Sequence, residues 1–343
     1  MKYLPLLYLA AVSLLAVFVT IHDKKAARKH TRRVRERTLW VLALLGGSAA
    51  LLVTMLATRH KTRHAKFMVG IPLLLLAQIV SLTLALNTSL SVRPFVIESD
   101  KLGGEIKLVL VTDLHACAYG SGQTKLLRAI DQEQPDALVL CGDIFDSDLP
   151  PDNTTTFVTA VAAKYPCYYV SGNHEFWSGQ ADAFKDILRT HGVKVLEGTS
   201  EVLSVRGSHI RLCGLDDPDV DHFATRAHPY AQQLNALAAA VQPAEFTVLL
   251  SHRPERMNEF LPLKPDLVLA GHAHGGQWRV PFVLENGLLA PNQGLFPKYT
   301  NGSYVWDNTQ LIVSRGLARE STPVPRIFNR PEIITITLTP PQR

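Results

Sequence analysis

Acidic side chains are almost missing from one end of this sequence: residues 1–93 hold only Asp23 and Glu36. Three stretches there, 3–21, 38–58 and 67–92, contain no Asp, Glu, Lys or Arg. Each is about as long as the roughly 20 apolar residues a membrane-crossing helix needs. A chain that is water-soluble along its whole length is therefore excluded. Cysteine is scarce as well. Cys117, Cys141, Cys167 and Cys213 form no C-x-x-C pair, which excludes a zinc knuckle or a dithiol redox motif. Internal repeats are also missing, so a solenoid is excluded.

What is present is split by charge. Residues 1–93 carry 14 Lys/Arg, and the remaining 250 residues carry 21 Lys/Arg against 28 Asp/Glu. The basic character belongs to the apolar end. Its cations sit in two short connectors. Residues 22–37 hold Lys24, Lys25, Arg28, Lys29, Arg32, Arg33, Arg35 and Arg37, and residues 59–66 hold Arg59, Lys61, Arg63 and Lys66. That placement fits lipid headgroups and topology signals and argues against nucleic acid. The first apolar stretch exceeds the roughly 7–15 residues of a signal-peptide core, and two more follow. A retained helix is the expectation, giving an integral, multi-pass membrane protein. With three crossings the two connectors fall on opposite sides. The more basic first one then belongs inside, which places the rest of the chain in the cytoplasm.

The expected organisation is a membrane domain with three transmembrane helices over 1–92, a linker over 93–105 around Pro94 and Gly103-Gly104, and a catalytic domain over 106–343. In that domain short apolar runs alternate with helical segments. Ile106–Thr112, Ala137–Cys141 and Cys167–Val170 read as buried strands, and Thr124–Gln132, Thr155–Lys164 and Ala181–Thr190 as helices. The alternation argues for βαβ units. Beyond residue 193 shorter strands dominate. An α/β fold of two face-to-face sheets with helices outside, an α-β-β-α sandwich, accommodates both halves.

Five fragments share one form, an apolar strand followed by metal-competent side chains. They are Asp113-Leu114-His115, Gly142-Asp143-x-x-Asp146, Gly172-Asn173-His174-Glu175, Ser251-His252 and Gly271-His272-Ala273-His274. In open α/β sheets the crevice beyond the strand C-termini takes the ligand. Mixed imidazole and carboxylate donors suit Mn, Fe or Zn over Ca or Mg. An x-separated pair such as Asp113/His115 or His272/His274 projects both side chains the same way on an extended backbone. A lone Asp-x-His is ordinarily structural. The ordered set of five, each after an apolar strand, carries the reading.

That ordered set resembles the calcineurin-like metallophosphoesterase superfamily over about residues 105–340, with the further matches Gly275-Gly276-Gln277, Lys298-Tyr299, Ser314-Arg315-Gly316-Leu317 and Pro325-Arg326. The resemblance implies two divalent metal ions as cofactors. One would be bound by Asp113, His115, Asp143 and His274, the other by Asp143, Asn173, His252 and His272, with Asp143 bridging. It implies hydrolysis of a phosphomonoester or phosphodiester by a two-metal-activated hydroxide. His174, without binding a metal, would face the phosphate beside the catalytic Asp143. Asp146 reads as a support for a ligand. Arg253 and Arg315 are candidate bidentate donors to a substrate phosphate, with a structural ion pair as the competing reading. The membrane helices add lipids as partners and a lipid-linked phosphate or pyrophosphate as a candidate substrate.

Residues 3–85 also resemble a small bacterial membrane domain of unknown function, on Asp23-Lys24-Lys25-Ala26, Glu36-Arg37-Thr38-Leu39, Leu45-Gly46-Gly47-Ser48 and Arg59-His60-Lys61-Thr62. That likeness implies a membrane location and no chemistry. The rival to an enzyme is a membrane scaffold bearing a vestigial phosphoesterase domain. Lost ligands would mark it, yet all seven ligand positions and His174 are present.

Overall fold

The computed structural model describes residues 4–319 and 324–341. The chain forms two compact units, Met1–Ala85 and Leu86–Arg343.

The first unit is helical: α1 (Leu4–Arg28), α2 (Glu36–Leu42), α3 (Ser48–Ala57), α4 (Ala65–Met68) and α5 (Gly70–Ala85). Three stretches, Leu6–Arg28, Glu36–Ala57 and Ala65–Ala85, are long and apolar enough to cross a membrane by length and composition. The second is not one rod. A π-helical turn, Ala43–Gly47, separates α2 from α3, and Gly46 within it has a φ of 104°.

The second unit begins with β1 (Ser91–Glu98), inside the segment read as a linker. β1 pairs in parallel with β14 (Glu332–Thr339), from Ser91↔Glu332 to Glu98↔Thr339. It is an edge strand, where Pro94 is tolerated. The linker of 93–105 is thus corrected to a strand and its turn. The membrane stretch ends at Ala85, short of residue 92.

The chain then alternates. β2 (Ile106–Val111), α6 (Thr124–Glu133), β3 (Ala137–Cys141), α7 (Asp152–Ala162), β4 (Cys167–Val170), α8 (Asn173–Trp177), α9 (Ala181–Thr190) and β5 (Lys194–Val195) follow in order. Next come β6 (Thr199–Val205), β7 (Ser208–Gly214), α10 (Tyr230–Ala240), β8 (Phe246–Leu250), α11 (Met257–Phe260) and β9 (Leu267–Ala270). The last strands before β14 are β10 (Leu289–Ala290), β11 (Gly294–Leu295), β12 (Gly302–Trp306) and β13 (Thr309–Val313). One six-stranded sheet has the order β1-β14-β2-β3-β4-β5, the other β12-β13-β9-β8-β7-β6.

Burial shows why the runs are continuous rather than alternating. Every residue of β3, β4, β8 and β9 is buried, because both faces of each sheet are covered. Leu108, Leu110, Val139, Val170, Ile210, Leu212, Val248 and Leu269 meet in a core between the sheets. The outer face of the first sheet packs Val109, Val111, Leu138 and Leu140 on Leu126, Ile130, Phe157 and Phe184 of the helices. The outer face of the second packs Leu249, Val268 and Leu311 on Leu237, Met257 and Phe260. The α-β-β-α sandwich expected from the sequence is the fold. In each sheet the strands preceding the metal-competent fragments are neighbours and parallel, β2-β3-β4 in one and β8-β9 in the other. Their C-terminal ends therefore share one edge.

Candidate metal centre

That edge brings the five fragments together. Single donor atoms of Asp113, His115, Asp143 and His274 lie within 4.8 Å of one another, as do those of Asp143, His252 and His272. Asp143 belongs to both groups. Its Oδ2 lies 3.1 Å from His252 Nε2 and 3.5 Å from His115 Nε2. Asp113 Oδ1 lies 3.7 Å from His274 Nε2 and 4.0 Å from His252 Nε2.

Five atoms of these side chains are buried and unpaired. Asp113 Oδ2, His115 Nε2, Asn173 Oδ1, His252 Nε2 and His274 Nδ1 have no hydrogen-bond partner among the described residues. A buried polar atom left unpaired is costly and rare. Five such atoms around one shared carboxylate are what a site for cations requires, so the residue set fits divalent metals.

The expected extended backbone at the paired ligands is not found. Asp113, His115, Asp143, His272 and His274 all have positive φ, between 46° and 65°. They sit in turns past the strand ends, where local strain is tolerated because the surroundings hold it. Asp113 N donates to Gly142 O at 3.0 Å and His115 N to Asp143 O at 2.9 Å. His272 N donates to Asp113 Oδ1 at 2.9 Å. The turns thus lock onto one another as well as onto the site. Close approach makes one glycine obligatory: a Cβ on Gly172 would lie 2.2 Å from Asp143 Oδ1.

Electrostatics follow the geometry. Burial opposes a charge on His252, but the Asp143 carboxylate outweighs it and pushes the imidazole up to about 10. Burial holds His272 and His274 well below the usual histidine range, leaving their lone pairs available. Burial raises Asp113. Asp143 is held well below the carboxylate range against its burial by His252 and His115. The carboxylates call for positive charge, which His252 answers with a proton, while His272 and His274 stand as neutral imidazoles.

Around this set stand supports. Asp146 Oδ2 lies 2.8 Å from His115 Nδ1 and 3.4 Å from His174 Nδ1, while its Oδ1 accepts from Asp148 N and Leu149 N. This is the orienting role expected of it. Glu175, quoted in the sequence without a role, accepts four backbone N–H groups, those of Asp143, Ile144, Phe145 and Gly172, at 2.7–3.0 Å. It staples the β3 turn to the β4 turn. Only its place in the Gly-Asn-His-Glu fragment could have flagged it. Asn292 Oδ1, 3.1 Å from His272 Nε2, and Glu255 Oε1, 3.9 Å from it, were not legible.

The two arginines are corrected. Arg253 Nε and Nη2 both donate to Asp217 at 2.7 Å. Arg315 N donates to Glu332 at 3.0 Å, its Nε at 2.7 Å, and its Nη2 also bonds that carboxylate. Both carboxylates are fully buried. The bidentate edge of each guanidinium is spent on an internal carboxylate, so the ion-pair reading holds for both.

Residues 106–276 match the calcineurin-like phosphoesterase family. The chain carries a calcineurin-like metallophosphoesterase domain. It is a hydrolase of that class. Residues 13–67 match a family of proteins of unknown function (DUF1294). The phosphoesterase domain is similar to an uncharacterized metallophosphoesterase of Aquifex aeolicus, 27% identical over 73% of this chain and 92% of the relative. A Campylobacter jejuni relative, also an uncharacterized metallophosphoesterase, is 28% identical over 88% of this chain and 78% of its own length. A bovine transmembrane protein with metallophosphoesterase domain is 29% identical over 68% of this chain. The chain spans about half of that bovine protein, 53%. Among solved structures, a dimetal phosphatase from Danio rerio aligns with a TM-score of 0.41 at 15% identity, over 62% of this chain and 88% of that one.

Proposed function

We propose that this chain hydrolyses phosphoester bonds at a membrane surface with two divalent ions of Mn, Fe or Zn. Asp113, His115, Asp143 and His274 would hold one, and Asp143, Asn173, His252 and His272 the other. The observation that carries the reading is the shared carboxylate of Asp143, which stands in both donor groups. Bound there, a pair of cations supplies acidification of a water and neutralisation of charge on the phosphate oxygens.

The chain's own residues do the rest. His174 lies beside the donors, its ring 4.4 Å from that of His115, and its side chain is 22% exposed where theirs are buried. It is thus open to a substrate. Burial opposes its protonation, but Asp146 and Asp143 outweigh burial and hold it above the ordinary histidine value. From this open position His174 would donate a proton to the leaving oxygen as the bond from phosphorus to that oxygen breaks. Asp146 fixes the ring from the Nδ1 side.

A lipid-linked phosphate fits best as substrate. The membrane helices hold the chain at a bilayer, which raises the local concentration of such a molecule. The segment carrying Asn292, which reaches His272, also exposes Phe282, Val283, Leu295 and Phe296 to solvent. An apolar surface on the chain segment that touches the donors supports an amphiphilic substrate.

Purified full-length chain in detergent should hydrolyse a chromogenic phosphodiester when Mn²⁺ is added. Asp143→Asn should lower the rate by about 10²–10³-fold, the scale of losing a preorganised electrostatic contact. Turnover by the variant at the parent rate, or none by the parent with any divalent metal, would overturn the reading.

A further inference from the structure

The membrane unit holds buried charges that phosphoester chemistry does not use. Asp23, near the end of α1, is fully buried. It accepts from Val34 N at 3.0 Å, lies 2.8 Å from His60 Nε2, and lies 3.8 Å from Lys61 Nζ. Lys61 Nζ also donates to Glu36 Oε1 at 3.0 Å, and Lys66 bonds the other oxygen of Glu36. Lys24 Nζ donates to Arg59 O at 2.9 Å. One cluster therefore ties the first basic connector to the second.

A straight helix over Glu36–Ala57 forbids that arrangement. Its 22 residues would run about 33 Å at roughly 1.5 Å each, the full thickness of the hydrocarbon layer. The connectors would then lie on opposite faces. Instead the two ends meet. Trp40, in the first turns of α2, stacks on Phe67 in α4 with ring centroids 5.7 Å apart.

The reversal is at Ala43–Gly47. The carbonyls freed by the turn are taken by other helices. Gln78 Nε2 in α5 donates to Ala43 O at 2.9 Å and Leu44 O at 3.3 Å, and Tyr8 Oη in α1 donates to Leu45 O at 3.0 Å. Irregular backbone at membrane depth is tolerated only where the protein itself satisfies it. Gly47 packs so tightly on α1 that a Cβ there would lie 3.1 Å from Ala16 Cβ.

We propose that α2 and α3 form a re-entrant hairpin, and that only α1 and the α4–α5 stretch cross the bilayer. Both basic connectors then lie on one face, where their twelve Lys/Arg meet the anionic headgroups of the cytoplasmic leaflet. The α5 helix carries the chain to the other side, through a stretch, residues 67–92, without a charged side chain. The phosphoesterase domain is extracytoplasmic. Three crossings would divide the cations between two faces and place the domain in the cytoplasm, so the hairpin reverses the side. Its substrates are phosphoesters exposed at the outer leaflet or beyond it.

Thiol accessibility on the full chain in spheroplasts of a bacterial host tests this. The four native cysteines are buried, so single cysteines at the exposed positions Arg32→Cys, Arg63→Cys and Asn308→Cys report through a membrane-impermeant maleimide. Asn308→Cys should label in intact spheroplasts, and Arg32→Cys and Arg63→Cys only after permeabilisation. Labelling of the two connectors from opposite sides would overturn the hairpin. Labelling of both from outside, with Asn308→Cys protected, would overturn the sidedness. A reporter enzyme active only outside the cytoplasm, fused after Arg343, reads the same side without any substitution. It should be active, and a silent fusion on an inserted chain would overturn the proposal.

Discussion

Asp143 answers two requirements with one side chain. It gathers His252 and His115 about its carboxylate, and its own backbone N–H is held by Glu175 at 3.0 Å. Its neighbours are placed with similar economy. Asp146 touches both His115 and His174, so a change there should disturb metal binding without removing a ligand. Asp146→Asn is expected to lower the apparent affinity for Mn²⁺ by about 10–100-fold, the range for a residue that orients a ligand. A titration of activity against Mn²⁺ reads it, and a curve overlying the parent's would show that His115 needs no such support. The candidate donors were legible in the sequence, because five metal-competent fragments stand in order, each after an apolar strand, although a lone Asp-x-His is ordinarily structural. Their backbone was not. Positive φ at five donors reflects turns that lock together across distant segments, and no local pattern reports that. The partners of Arg253 and Arg315 were hidden for the same reason, since Asp217 and Glu332 join them only in the folded chain.

At the scale of elements, α9 is bound to the second sheet by a buried cation. Lys185 Nζ lies 2.8 Å from Asp216 Oδ1 and 2.7 Å from Glu197 Oε1. Asp216 follows β7 and precedes Asp217, the carboxylate that holds Arg253 beside the site. Lys185→Met would leave Asp216 buried without its cation, at a cost of about 3–5 kcal/mol, seen as a lower denaturation midpoint at neutral pH. The pH dependence has a definite sign. Burial lowers the Lys185 pKa, but Asp216 and Glu197 outweigh it and hold it above the ordinary 10.5. A pKa raised on folding stabilises fully below the unfolded value and less as pH climbs through the folded one. The parent should therefore lose stability above about pH 10.5, and the variant should lack that part of the decline. Parallel losses in both would refute the assignment. Most elements of the first sheet were legible, β3 and β4 to the residue, because continuous apolar runs mark strands covered on both faces. β1 was not. Its pairing is with β14, some 240 positions on, and Pro94 with Gly103-Gly104 reads as a break.

For the whole molecule, metal and fold should be linked. An ion that binds only the folded state stabilises it by about 2.7 kcal/mol when present at roughly 100 times its Kd. Chelator-treated chain should thus gain melting temperature on adding Mn²⁺, and Asp143→Asn should gain less. Equal shifts would place the ions elsewhere. Composition and order by themselves determined that this chain has a membrane end and an α/β end, the sandwich that end forms, and the metal-competent side chains at its strand ends. Those follow from residue chemistry and from periodicities a few positions long, whereas the metallophosphoesterase class and the division of donors between two metals are what the family resemblance implies. Only the tertiary structure decided where the arginine charges go, how the donor turns are strained, and that the second apolar stretch doubles back. Hydropathy counts the length of an apolar run but not its direction, and direction is set by contacts such as Asp23 with His60 that close across the chain.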